Sequence, residues 1–380
     1  MSNRAGVLGT LKERALAFHT NARGWRTKRR LIVFESDDWG AIRMPGPQAY
    51  SSLLAAGIPV DKSAYDRLDC LENRTDFEGL METLGRHRDS SGRPAVFTLN
   101  TVMGNPDFGA IRDDRFETFH HEHLFDSYRR VHGEDLESLW HEGISCGLIR
   151  PQFHAREHLN VPLWMRDLKT GRKDVRVAFE HAYCGLTTRT SATGQSNYLA
   201  AFWADSPADL AVMCENLVDG LEIFNATFGF RSLTFVPCNY VLADDLESVA
   251  HERGVRLIQG QRGQLAPDPR GRKSKTRRTF TGQRSSRGPL YSVRNVRFEP
   301  FENDHADWVA RAMREIGSAF ALHKPAVVCT HRVNYTSGMS VAHRDRSLRM
   351  LEELLKAIPA RWPDAEFITS DELLHLMESD

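Results

Sequence analysis

No apolar run of about 18 residues occurs in the chain, so no stretch of it reads as a membrane-spanning helix. The first 30 residues mix small, apolar and basic side chains and lack the secretory apolar core of about 7 to 15 residues, which predicts a cytoplasmic protein. A charge excess is missing as well. Fifty Lys and Arg face fifty Asp and Glu, so no global field draws the chain to nucleic acid or to an anionic membrane. Cysteine is sparse and scattered. Cys70, Cys146, Cys184, Cys214, Cys238 and Cys329 form no CxxC pair, which removes the spacing signals for a disulfide framework or a thiolate zinc site and predicts reduced, buried thiols. No internal repeat of fixed period is present.

What remains is ordinary globular composition, 41% hydrophobic and 26% charged over 380 residues. Short apolar runs alternate with longer helical patterns, the signature of βαβ units around a parallel sheet. Leu31 to Phe34, Ala95 to Leu99, Leu148 to Phe153, Arg231 to Val236, Val255 to Ile258 and Ala326 to Cys329 read as strands. Helices are predicted over Pro47 to Ala56, Asp76 to His87 and Leu136 to Cys146, the last stopped at Gly147. Polar residues repeatedly follow strand ends, and in a parallel α/β barrel or doubly wound sheet that edge binds ligands. Asn100, Asn105, Asn239, Tyr240 and His331 all fall there.

Two segments interrupt the alternation. Thr187 to Asn197 is rich in Ser, Thr and Gly and reads as a loop. Residues 262–287 carry Arg270, Arg272, Lys273, Lys275, Arg277, Arg278, Arg284 and Arg287 against Asp268, a composition that predicts a mobile basic insertion too polar to pack. A functional role for it would be to clamp an anionic saccharide or nucleotide-linked substrate. Residues 1–30 read as a basic extension, and Arg23, Arg26, Lys28, Arg29 and Arg30 as a solvated face before the first strand.

The chemistry begins with His154 and His158, four residues apart and thus on one side of a turn, and with the adjacent acids Asp37 and Asp38 at the end of the first strand. Two imidazoles and the Asp38 carboxylate make a divalent-metal set with open positions, suited to a catalytic ion such as zinc. An N-cap role is the alternative for Asp37 and Asp38, but it leaves the second acid, Trp39 and Gly40 without purpose.

The succession Phe34-Glu35-Ser36-Asp37-Asp38-Trp39-Gly40, His154-xxx-His158, Pro237 with Tyr240, Asp304-His305-Ala306-Asp307-Trp308 and Thr330-His331 resembles the five motifs of the polysaccharide deacetylases, carbohydrate esterase family 4. The resemblance covers residues 31–380. It implies a distorted barrel of about seven β/α units and a metal-dependent hydrolase that removes acetyl groups from saccharides. By position it implies Asp37 as general base, Asp38, His154 and His158 as metal ligands, and His331 as the acid that protonates the leaving group. A backbone amide near Asn239 and Tyr240 could serve as oxyanion donor, Trp39 could stack on a sugar or, more in keeping with its type, be buried as core, and Arg332 and Asn334 could line the pocket.

The chain also departs from the family pattern. Trp39 separates the acid pair from Gly40, and Phe235 stands where the third motif carries an arginine that braces the base. Arg43, Arg156 or Arg332 could supply that charge. Asp304 and Asp307 could equally be caps of a helix opening at Trp308. Arg156 and Glu157 could orient the metal histidines, whereas His120, His121, His123, His181 and His323 read as ordinary histidines. The expected substrate is an acetylated saccharide or a saccharide-lipid or saccharide-nucleotide intermediate inside the cell. The rival readings are a glycoside hydrolase, pairing Asp37 with Glu157 or Asp304, and a non-catalytic saccharide-binding scaffold.

Overall fold

The computed structural model describes residues 18–191 and 197–380. The first 17 positions of the predicted extension, and residues 192–196 of the predicted Ser/Thr/Gly loop, lie outside the described residues. The main sheet has nine strands, β1 (Arg30–Trp39), β2 (Phe97–Val102), β3 (Ile149–Ala155), β4 (Thr234–Phe235), β5 (Leu257–Gly260), β6 (Leu290–Val293), β7 (Val296–Arg297), β8 (Ala326–His331) and β9 (Ala365–Ile368). They run in the order β6-β5-β4-β3-β2-β1-β8-β7, with β9 beside the first half of β1, and every pair is parallel. Only Arg294 and Asn295 separate β6 from β7, a gap of about 11 Å at most. The two edges therefore meet, and the sheet curls into a barrel-like wall with an unpaired seam. The expected α/β barrel is the observed architecture. The additional strands come from β6, β7 and β9, three short segments that carry little periodicity of their own.

The apolar run of β1 is buried on both faces, as a parallel strand between helical layers requires. Ile32 and Phe34 join the large core with Phe97 and Phe367, while Leu31 and Val33 face a second cluster with Val327, Ile368 and Leu373. Helices cover the outside. Among the described residues no helix is long and apolar enough to cross a membrane.

The segment expected to be too polar to pack instead holds an antiparallel hairpin, Gly263–Ala266 with Lys275–Arg278. Acids outside the segment make this affordable: Arg277 bonds Asp244 (2.5 Å) and Glu247, and Arg287 reaches Asp244 at 3.3 Å. In the N-terminal basic cluster, Arg29 pairs with Glu366 and Arg30 with Asp364. The thiols are free as expected, but Cys146 is exposed and Cys214 and Cys329 are only half-buried.

Two local devices fix the loop that follows β1. Gly40 has φ 85°, and a Cβ there would lie 2.7 Å from the Val102 carbonyl oxygen and 2.4 Å from Leu124. Arg332, wholly buried, donates to Asp69 (2.8 Å), to Glu72 (2.8 Å) and to the Ala41 carbonyl (2.5 Å). It thus ties the chain after β8 to the loop after β1. Gly40→Ala is expected to cost at least about 2 kcal/mol in denaturant unfolding, combining left-handed strain with a backbone clash. Arg332→Leu is expected to cost about 3–5 kcal/mol, because it strands two buried carboxylates. A loss below 1 kcal/mol in either variant would contradict the packing described.

Candidate metal centre and catalytic residues

In a regular strand successive side chains point to opposite faces, so two adjacent acids cannot both face a strand-end cleft. The register between β1 and β2 shifts between Ser36 and Trp39, and Asp38 takes a left-handed backbone, φ 74°. This bulge turns both carboxylates into one cleft. A second shift, between Thr101 and Val102 of β2, leaves His154 of β3 as the extra residue. Each half of the metal set therefore sits on a bulge at the C-terminal edge of the sheet.

Asp38 Oδ1 lies 3.2 Å from His154 Nε2 and 3.4 Å from His158 Nε2. Donors about 3.4 Å apart are the edges of a tetrahedron with ligand bonds near 2.1 Å, so both Asp38–imidazole separations match those of ligands sharing one divalent ion, and the donors of the two histidines lie within 4.8 Å of each other. His154 Nδ1 donates to the Val236 carbonyl at 2.7 Å, which turns its Nε2 toward Asp38. Burial pushes the Asp38 carboxyl up, but the hydrogen bond from His154 and the histidine charges outweigh it and hold the group well below the usual range. Glu157 is buried and turned away, accepting from Arg156 at 2.6 Å and from Asn216 at 3.1 Å, and so fastens the turn between the two histidines.

Asp37 does not share these partners. Its carboxylate accepts from Arg294 Nη1 at 2.6 Å and Nη2 at 2.7 Å, and from Asn100 Nδ2 at 2.7 Å. Burial raises its pKa, yet the Arg294 charge and hydrogen bonds prevail, and the group stays below its ordinary value. Arg294 also donates to Glu35 (2.7 Å) and to the Tyr240 hydroxyl (2.9 Å). The arginine that braces Asp37 thus comes from the end of β6. Arg43, Arg156 and Arg332 do not supply it: they pair with Asp66, with Glu157 and Asp219, and with Asp69 and Glu72.

His331 Nε2 stands 3.6 Å from Asp37 Oδ2, and its Nδ1 donates to Glu299 Oε1 at 2.6 Å. Burial pulls the imidazole pKa down, but the charge and hydrogen bond of Glu299 more than offset this and push it up to about 9. Asn334 holds the other Glu299 oxygen at 2.9 Å, so it acts behind His331 and is removed from the cleft surface. Trp39 is likewise absent from that surface. Its ring is buried edge-on against Phe77, and Nε1 donates to Ser36 at 2.9 Å. Arg332 belongs to the ion-pair network described above.

Asp307 caps the helix Trp308–Ala321 by accepting from Ala310, and Asp304 is on the surface with Arg346. His123 caps the helix Leu124–His132 and His120 pairs with Asp114, so that cluster takes no part in the site. Asn239 and Tyr240 do border the cleft, both with left-handed backbones, φ 56° and 55°.

Arg294, Glu299, Tyr65 and Cys238 escaped the sequence reading. Arg294 follows the short apolar run Leu290–Val293, so the strand-end rule applies to it, but a run of four residues just after the basic segment carries little strand signal of its own. The finished cleft measures about 630 Å³, and its lining includes Asp37, Asp38, His154, His158 and His331 together with Arg43, Tyr65 and Gln261.

No family model matches the chain, and no curated protein matches it. Among solved structures it is similar to a probable polysaccharide deacetylase from Pseudomonas aeruginosa PAO1, at 9% identity and a TM-score of 0.48, covering 93% of this chain and 92% of that one. It is similar to a 4-alpha-glucanotransferase from Thermococcus litoralis at 10% identity and a TM-score of 0.44, where 91% of this chain spans 40% of the larger protein. A family 4 acetyl xylan esterase from Clostridium thermocellum, in complex with a cobalt ion, gives 10% identity and a TM-score of 0.35, with 91% of each chain covered. The similar structures also include one described as a polysaccharide deacetylase from Mycobacterium smegmatis and a mutant of a CE4 family pseudoenzyme with restored enzymatic activity. At these identities and scores the likeness concerns the fold, and the chemistry rests on the chain's own residues.

Proposed function

We propose that the chain is a metal-dependent hydrolase that removes an acetyl group from an acetylated saccharide. The observation that carries this reading is the meeting of Asp37 Oδ2 and His331 Nε2, 3.6 Å apart, beside the convergent donors of Asp38, His154 and His158. A carboxylate kept free of the metal donors and a histidine kept protonated form a base and acid facing one reaction point.

Asp38, His154 and His158 would hold the ion, zinc by the nature of the donors, which when bound polarises the acyl carbonyl and acidifies water. Asp37 takes the proton of the attacking water as its oxygen joins the acyl carbon. Arg294 and Asn100 orient that carboxylate. His331 gives its Nε2 proton to the leaving nitrogen or oxygen as the acyl bond breaks, and Glu299 stabilises the imidazolium before transfer. Tyr240 N–H already donates to the Pro237 carbonyl at 2.9 Å, so the oxyanion donor in this proposal is the Asn239 amide. Tyr65 packs edge-on to His331 at 5.6 Å and gives the cleft an aromatic wall for a sugar ring.

The glycoside hydrolase alternative requires a second carboxylate opposite Asp37. Glu157 is committed to Arg156 and Asn216, and Asp304 is at the surface.

Metal analysis is expected to give about one zinc-like ion per chain, lost in His154→Ala/His158→Ala. Full retention in that double variant would refute the site. Asp37→Asn is expected to keep the ion and lose acetate release from acetylated saccharides by at least about 10²-fold. Saccharide binding with no release by the wild type would favour the scaffold reading.

The pH dependence follows from the acid and the base. His331 must be protonated, so kcat/KM should fall as pH rises through about 9. Glu299→Gln removes the main influence raising that pKa and should move the alkaline limb toward the ordinary histidine value of about 6.5. An unmoved limb would remove His331 from the acid role.

A further inference from the structure

We propose that the Cys238 thiolate is a further ligand of the ion held by Asp38, His154 and His158, an inference that rests on the metal-site reading above. Cys238 is wholly buried, and its Sγ lies 3.9 Å from His154 Nε2. One donor atom from each of His154, His158 and Cys238 falls within 4.8 Å of the others. With metal–sulfur bonds near 2.3 Å and metal–nitrogen bonds near 2.1 Å, adjacent sulfur and nitrogen ligands of a tetrahedral ion stand about 3.6 Å apart. The His154–Cys238 separation needs a closing of a few tenths of an ångström, and the His158–Cys238 separation, within 4.8 Å, at most about 1 Å.

The backbone holds the thiol at this position from two sides. The Val236 carbonyl, two residues before Cys238, accepts from His154 Nδ1. The two residues after it, Asn239 and Tyr240, form a tight left-handed turn. One short segment therefore fixes the outer nitrogen of His154 and sets a sulfur beside its inner one. Ligation replaces the S–H proton, which leaves to solvent, with a metal–sulfur bond, and no electron is transferred. A thiolate in the set turns the site toward zinc, cobalt and similar ions and away from magnesium, calcium and manganese.

The test uses the full chain stripped of metal and reloaded with cobalt(II) alone. The wild type is expected to bind one cobalt and to show a near-ultraviolet thiolate-to-cobalt charge-transfer band. Cys238→Ser should still bind cobalt, lose that band, and lose at least about tenfold in zinc affinity. X-ray absorption of the zinc-loaded wild type needs no variant and should find one sulfur near 2.3 Å. Cobalt binding without the band, a band that persists in Cys238→Ser, or a zinc shell of nitrogen and oxygen alone would overturn the Cys238 assignment and leave the hydrolase proposal standing. Failure of the wild type to bind either metal would overturn both.

Discussion

The site depends on the break in the β1 ladder between Ser36 and Trp39. A parallel strand buried on both faces sends alternate side chains into opposite layers, and β1 does so faithfully from Leu31 to Phe34. Had that alternation continued, only one of Asp37 and Asp38 could face the cleft. The left-handed Asp38 and the register shift abolish the alternation where the strand ends. Strain of this kind persists only when the surroundings over-determine it, and here Gly40, Asn105 and Arg332 supply that restraint. Asn105 grips the loop from both directions, accepting from the Ile42 amide and donating to the Gly40 carbonyl. In the proposed mechanism, backbone geometry would divide metal ligation and proton transfer between these neighbouring residues.

Arg294 then decides how the two acids differ. It spans Glu35 and Asp37 from the end of β6, and Ser370, at the start of the last helix, donates to the other Glu35 oxygen at 2.9 Å. Three remote parts of the chain converge below the base. The family position for this charge is occupied by Phe235, which packs against Phe153 and Phe202. At that place β4 contributes core volume. The curl of the sheet brings the β6 end near the β1 end, and this is why a residue 257 positions away can take over the bracing role.

The sequence made the strand-end acids and histidines legible because they combine a recognisable chemistry with an apolar run directly before them. Asp37, Asp38, His154 and His331 meet that condition, and His158 is found through its four-residue spacing from His154. It also indicated the parallel barrel, since buried parallel strands write themselves as continuous apolar runs. Partner identity was harder to read. Glu299 follows a two-residue strand with no periodicity, and its link to His331 exists only through the β7 to β8 pairing. Arg332 misled for the opposite reason: its position next to the chemistry suggested contact with substrate, whereas the ion-pair network directs it inward, and of the two readings of Trp39 the structure shows the buried one. Arg277 shows the same limit, because the acids that neutralise it lie on a helix some 30 positions earlier.

Charge offers a further constraint on what the cleft accepts. Glu35, Asp37, Asp38 and Glu299 bring four carboxylates to the site, and Arg294, the protonated His331 and the charge that His154 lends to Asp38 answer three of them. Burying the remaining charge uncompensated is costly, and in the proposed site a divalent cation in place of the His154 proton would cancel it. A Cys238 thiolate would leave a single negative charge beside the reacting group. An acetamide or acetyl ester is neutral and meets no repulsion there, while a released amine gains a proton and acetate is an anion. In the proposed reaction that residual charge would tolerate the substrate, hold a cationic product and expel acetate, so the electrostatics that secure the ion would also give the reaction a direction for product release.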